Sequence, residues 1–119
     1  MPKVLVVDAV ASQQESICRA LQDAGFIVSR ANDGDEVMKN VELHKPNLIV
    51  LDIIMEHVNG FDVLRELREN EKTKRIPVVV CSTKNTDFDK VWSLDLGADA
   101  YVTKPVDAEQ LIGIVQGLI

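Results

Sequence analysis

The 119-residue sequence predicts a single α/β domain, residues 1–119, built as a doubly wound (βα)5 sheet of five parallel strands. Three observations carry that expectation. Five short β-branched apolar runs recur along the chain, stretches with helical spacing separate them, and most of the runs are unbroken rather than alternating in polarity. An unbroken apolar strand is buried on both faces, which marks a parallel sheet covered by helices on each side.

The first strand run is Val4 to Val7, followed by a helix whose apolar face carries Ile17, Ala20, Leu21 and Ala24. The second, Phe26 to Ala31, is interrupted by Ser29 and Arg30 and suits an edge position; Val37, Met38 and Val41 mark the helix after it. Leu48 to Leu51 is the third run, with Val63, Leu64 and Leu67 on its helix. Val78 to Cys81 and Ala100 to Val102 complete the sheet, with Phe88, Val91 and Leu94 marking the buried face of the fourth helix. Leu111, Ile114, Val115 and Leu118 mark the fifth. Gly25 and Gly97 stand where helices close, Pro46 and Pro77 precede strands, and Ser12, Asp33 and Asp107 occupy expected N-cap positions. The (βα)5 pattern, with right-handed crossovers and helices on both faces, suits the order 2-1-3-4-5.

Composition narrows the function classes. With 13 Lys and Arg against 19 Asp and Glu, the formal charge is −6, which disfavours a surface built for nucleic acid or anionic lipid. No apolar run reaches the roughly 20 residues needed to span a bilayer, and Met1-Pro2-Lys3-Val4 does not open a signal peptide. Cys18 and Cys81 sit far apart in apolar stretches, so both are expected to be buried free thiols, in keeping with a cytoplasmic location.

In an open parallel sheet, ligands bind outside the carboxyl ends of the strands, so the residue that ends each strand is informative. The first run ends in Asp8, the third in Asp52, the fourth in Ser82 and the fifth in Lys104. Singly, Asp8 and Ser82 could cap a turn and Lys104 could be a surface lysine. Asp52 is harder to dismiss, because it lies between Leu48-Ile49-Val50-Leu51 and Ile53-Ile54-Met55, where an unpaired charge is costly. Together the four residues suit phosphoryl chemistry. Asp52 supplies a carboxylate nucleophile, Asp8 helps to hold Mg2+, and Lys104 and the Ser82 hydroxyl donate to phosphoryl oxygens.

At these residues the sequence resembles the receiver domains of bacterial two-component response regulators, of the chemotaxis-regulator type. The likeness spans Lys3 to Leu118. It rests on Val4-Leu5-Val6-Val7-Asp8, on Leu48-Ile49-Val50-Leu51-Asp52 followed by Met55 and Asn59-Gly60, on Pro77-Val78-Val79-Val80-Cys81-Ser82, and on Gly97-Ala98-Asp99-Ala100-Tyr101-Val102-Thr103-Lys104-Pro105. The resemblance implies a flavodoxin-like fold, Asp52 as phosphoacceptor served by a histidine kinase, and Ser82 and Lys104 as phosphoryl contacts. It further implies Ser82 and Tyr101 as switch residues, a cis peptide before Pro105, and Mg2+ held by Asp8, Asp52 and the backbone carbonyl of Ile54. Beyond phosphotransfer to itself and slow hydrolysis of the aspartyl phosphate, no metabolic catalysis is implied. With the chain ending at Ile119, output is expected through contact with a downstream protein. Phe88-Asp89-Lys90-Val91-Trp92 is similar to the single-domain regulators of pilus-based motility.

Two positions depart from the family pattern. The family's first strand usually ends in two acids, whereas Asp8 is followed here by Ala9, so Mg2+ affinity is expected to be weak. Glu56 stands where the family usually has proline; it is read as a solvated loop acid, with a water-mediated substitute for the missing carboxylate as the alternative. Ala9 also raises a second function, that of a degenerate receiver that binds proteins without phosphorylation. His57 is read as a loop residue, and His44 as a favourable charge near a helix C-terminus. Gly34-Asp35-Glu36 matches a cyclase signature in letters alone. Trp92, four residues after Phe88, is expected in the core, with partner binding as its alternative. A haloacid-dehalogenase-like phosphatase would want Asp where Ile54 stands, and a flavodoxin would want a Thr/Ser/Gly-rich loop where Ala9-Val10-Ala11-Ser12 stands.

Overall fold

The computed structural model describes residues 2–55 and 58–119. Glu56 and His57, with the roles considered for them, lie outside the described residues. Along the chain run β1 (Lys3–Val7), α1 (Ala11–Asp23), β2 (Ile27–Ala31), a 3-10 turn (Gly34–Glu36), α2 (Val37–His44), β3 (Leu48–Leu51) and α3 (Gly60–Glu69). Then follow β4 (Val78–Ser82), α4 (Asp87–Asp95), β5 (Ala100–Thr103) and α5 (Ala108–Leu118). All four strand pairings are parallel and the order is 2-1-3-4-5, as expected. The interrupted run becomes the edge strand β2.

Side chains alternate across each strand, so the sheet divides the core in two. On one side Leu5, Val7, Ile49, Leu51, Val78 and Val80 pack with Val37 and Val41 of α2 and Val63, Leu64 and Leu67 of α3. On the other, Val4, Val6, Leu48, Val50, Val79 and Cys81 pack with Ile17, Cys18 and Leu21 of α1 and Leu111 and Val115 of α5. Both cysteines are buried and free. Burial on both faces explains the unbroken apolar runs, and it leaves the strand ends as the places where polar groups emerge together.

The loops are held by capping groups. Asp33 accepts from the Asp35 N–H, and Asp107 from those of Glu109 and Gln110, as expected of N-caps. Asn59 caps α3 through the Phe61 N–H, and Thr86 caps α4 through the Asp89 N–H. Gly97 closes α4 at φ 108°, where a side chain would be strained. Arg68 at the end of α3 donates to the carbonyls of Gly97, Lys74 and Ile76 and pairs with Asp99 at 3.0 Å, tying α3 to the entries of β4 and β5.

Two expectations fail. Ser12 is an exposed residue inside α1 rather than its N-cap; Val10 takes that position, and the Asp8 carboxylate receives the Val10 N–H at 2.9 Å, so the chain turns into the helix two residues earlier. The apolar face of α4 is not buried: Phe88, Val91 and Leu94 are 69%, 56% and 48% exposed. The helix turns Ser93 inward instead, its hydroxyl satisfied by the Asp89 carbonyl at 2.8 Å, so a small residue meets the core. Trp92 meets both expectations halfway, stacking on Phe61 with ring centroids 4.4 Å apart while staying 38% exposed.

Candidate functional site

At the carboxyl edge of the sheet the structure brings Asp8, Asp52 and Lys104 into direct contact. Asp8 and Asp52 follow the central strands β1 and β3 and are 1% and 4% exposed. Lys104 follows β5, and its ammonium lies 2.6 Å from Asp8 Oδ2 and 3.1 Å from Asp52 Oδ2, with only 5% of its side chain exposed. Two carboxylates and one ammonium leave the pocket with one net negative charge.

Backbone geometry fixes each member. Asp52 N–H donates to the Val7 carbonyl and Asp8 N–H to the Ala31 carbonyl, which continues the parallel ladders past the strand ends. Asp52 Oδ1 accepts the Ile54 N–H at 2.9 Å, leaving Oδ2 toward Lys104. Lys104 N–H donates to the Ser82 carbonyl at 2.8 Å, and the Lys104–Pro105 peptide is cis. Ser82 is fully buried at the end of β4, its Oγ accepting the Lys84 N–H at 3.1 Å. Tyr101 on β5 is half-buried and donates its hydroxyl to the Lys84 carbonyl. Ala9 is exposed beside Asp8, and Ile54 is 43% exposed beyond Asp52.

The electrostatics follow from burial. Loss of water raises the Asp52 pKa above the usual carboxylate range, and the Ile54 N–H and Lys104 offset that only in part. Burial pushes the Lys104 amine down, but the hydrogen bond to Asp8 and the charges of Asp52 and Asp8 outweigh it, so its pKa lies above the usual lysine value. The ammonium therefore stays charged at neutral pH, while the Asp52 charge is held at a cost. Asp52 is thus a desolvated carboxylate with a fixed cation at its side.

Two residues of the site are not among those the strand ends pointed to. Gln13 Oε1 accepts from the Lys104 ammonium as its third partner. Gln14, 6% exposed, donates its amide to the carbonyls of Asp8 and Ala31 at 3.0 and 3.1 Å, clamping α1 to the ends of β1 and β2. A signal for Gln14 existed: it shares a helical stripe with Ile17, Cys18 and Leu21, and a polar side chain on a buried stripe requires partners. Gln13 carried none, because its partner, Lys104, follows β5 and is 91 residues away.

On the other flank a cleft of about 410 Å³ is lined by Ile54, Met55, Asn59, Phe61, Lys84 and Trp92. Phe88 tilts against Trp92 at 5.5 Å, extending the aromatic surface along α4.

With this geometry in place, comparison with known proteins gives a consistent result. Residues 4–116 match the response regulator receiver domain family, and the chain belongs to it. It is 33% identical over 119 residues to the protein PilH of Pseudomonas aeruginosa, covering 100% of this chain and 98% of that one. It is 37% identical over 121 residues to the alkaline phosphatase synthesis transcriptional regulatory protein PhoP of Bacillus subtilis, covering 98% of this chain but 48% of PhoP. The crystallised chemotaxis protein CheY4 of Vibrio cholerae superposes with a TM-score of 0.93 at 28% identity, over 100% of this chain and 99% of that one. The fold is thus shared with chemotaxis-type regulators of two-component signalling. No helix among the described residues is long and apolar enough to cross a membrane.

Proposed function

We propose that this receiver accepts a phosphoryl group on Asp52 from a histidine kinase in the cytoplasm and passes the signal on by contact with a downstream protein. The observation that carries the proposal is the Asp52 carboxylate, desolvated and held in contact with the Lys104 ammonium beside Asp8. In the transfer an Asp52 oxygen attacks phosphorus, the phosphorus–nitrogen bond of the donor phosphohistidine breaks, and the released imidazole takes up a proton. The Lys104 ammonium pairs with a phosphoryl oxygen, and Ser82 turns its hydroxyl to another. Tyr101 reports that movement at the surface, a reading supported by its hydrogen bond to the carbonyl of Lys84, two residues after Ser82.

Asp8, Asp52 and the Ile54 carbonyl are hard oxygen donors of the kind Mg2+ takes, and two adjoining carboxylates suffice for such an ion when water and phosphate complete the shell. When bound, the ion would neutralise part of the phosphoryl charge.

Ala9 supports a second reading, a degenerate receiver that docks partners without phosphorylation. The intact mass after incubation with acetyl phosphate and Mg2+ separates the two. A gain of one phosphoryl group, absent in Asp52→Asn, is expected; an unchanged mass would favour the degenerate receiver.

A further inference from the structure

We propose that Gln13 is a positioning residue that holds the Lys104 ammonium in place for the phosphoryl group, an inference that rests on Asp52 as the phosphoacceptor. An ammonium has three N–H donors, and here each has one acceptor: Asp8 Oδ2, Gln13 Oε1 and Asp52 Oδ2. The contact to Asp52, at 3.1 Å, is longer than the 2.6 Å contact to Asp8. The ammonium is anchored on the side of β1 and α1 and leans on Asp52. Once Asp52 carries a phosphoryl group, the third N–H passes from Asp52 Oδ2 to a phosphoryl oxygen, while Asp8 and Gln13 keep their bonds.

The anchor is rigid because both of its ends are. The Lys104 backbone is bound to Ser82, and the first turn of α1 is clamped by Gln14 to the carbonyls of Asp8 and Ala31. A lysine stem has four rotatable bonds, so without a third partner the ammonium would lose its single orientation. A neutral acceptor also suits the chemistry. A carboxylate at residue 13 would take the pocket from one net negative charge to two and oppose an incoming phosphoryl group.

Gln13 and Lys104 both line a cleft of about 350 Å³ between α1 and the segment joining β5 to α5, so a truncated residue 13 would admit water as a replacement acceptor. Gln13→Met is therefore the sharper probe, since it keeps the volume and removes the oxygen. Two readouts are followed: hydrogen exchange of the Lys104 ammonium by 15N NMR, and affinity for beryllofluoride with Mg2+. In Gln13→Met the ammonium protons should exchange at least about ten-fold faster and beryllofluoride affinity should fall about ten-fold, as expected for a lost charge-assisted hydrogen bond. Gln13→Glu should restore slow ammonium exchange yet still bind beryllofluoride more weakly, which separates ordering of Lys104 from pocket charge. If either readout in Gln13→Met stays within about two-fold of wild type, or Gln13→Glu fails to restore slow exchange, the positioning role is overturned and the phosphoacceptor reading stands. If the wild-type protein binds no beryllofluoride, both fall.

Discussion

Asp52→Asn is expected to abolish phosphoryl acceptance and, at neutral pH, to make the protein more stable. The Asp8 and Asp52 oxygens that share the Lys104 ammonium, at 2.6 and 3.1 Å, lie no more than about 6 Å apart. At an effective dielectric near 20 their repulsion is ~3 kcal/mol, and the attraction of Asp52 to Lys104 across roughly 4 Å between charge centres is ~4 kcal/mol. These terms nearly cancel, so desolvation of a carboxylate, on the order of several kcal/mol, decides the sign. Asparagine retains the acceptor for the Ile54 N–H but then turns its NH2 toward the Lys104 ammonium, which loses that acceptor at a cost of about 1 kcal/mol. The net gain is expected at ~1–2 kcal/mol, or roughly 3–8 °C in Tm for a domain of this size.

The pH dependence has a definite direction. The Asp52 pKa is raised in the folded protein, so its protonated form is favoured by folding. That contribution is complete below the ordinary carboxylate pKa of about 4 and is lost as pH rises through the raised folded value. The stability advantage of the Asn variant should therefore be small near pH 4 and open toward neutrality. Thermal unfolding followed by circular dichroism from pH 4 to 8 measures it. A variant no more stable than wild type at pH 7, or an advantage constant across that range, would refute the claim that desolvation dominates at Asp52.

Ala9→Asp should tighten Mg2+ binding by about 10- to 100-fold, since it restores a carboxylate beside Asp8; calorimetric titration showing equal affinities would mean that another group already supplies that charge. Gly60→Ala should lose ~2–4 kcal/mol in urea unfolding, because the new Cβ would lie 2.2 Å from Ile53 Cα, a clash of backbone with side chain that no rotamer relieves. Burial pushes the Cys81 thiol up to about 12, so neither Cys81 nor the buried Cys18 should react with a disulfide reagent at pH 8 until the protein unfolds. By the same linkage, the stability due to the Cys81 thiol is present below about pH 9 and lost as pH rises toward 12, by up to about 4 kcal/mol, measurable by urea titration at alkaline pH.

Strands were readable because a buried parallel strand leaves a run of apolar residues bounded by turns, and nothing outside the run is needed to recognise it. The polar groups at the strand ends were readable for the same reason: Asp52 stands out against Leu51 and Ile53. The start of α1 and the face of α4 were not. At α1 the Asp8 side chain, itself part of the site, turns the chain at Val10 before Ser12 is reached. At α4 the periodicity of Phe88, Val91 and Leu94 is real, but the packing contact comes from Phe61 on α3, which engages Trp92 and rolls that apolar set toward solvent. Gln13 is the sharpest case: the oxygen that completes the Lys104 environment comes from 91 residues away, and no local pattern encodes that distance.

The absent acid after Asp8 acts on two steps with opposite sign. A second carboxylate would double the net negative charge of the pocket and strengthen its attraction for a divalent cation, but it would equally strengthen repulsion of the phosphoryl donor until that cation arrived. With Ala9, Lys104 alone balances one of the two buried carboxylates, and its three N–H groups are all engaged. With Mg2+ held more weakly for want of that acid, more of the charge of an arriving phosphoryl group falls to the same ammonium. The identity of residue 9 and the orientation of Lys104 are therefore coupled variables: the fewer carboxylates the pocket holds, the larger the share of phosphoryl charge that falls to Lys104, and the more the outcome depends on the oxygen of Gln13.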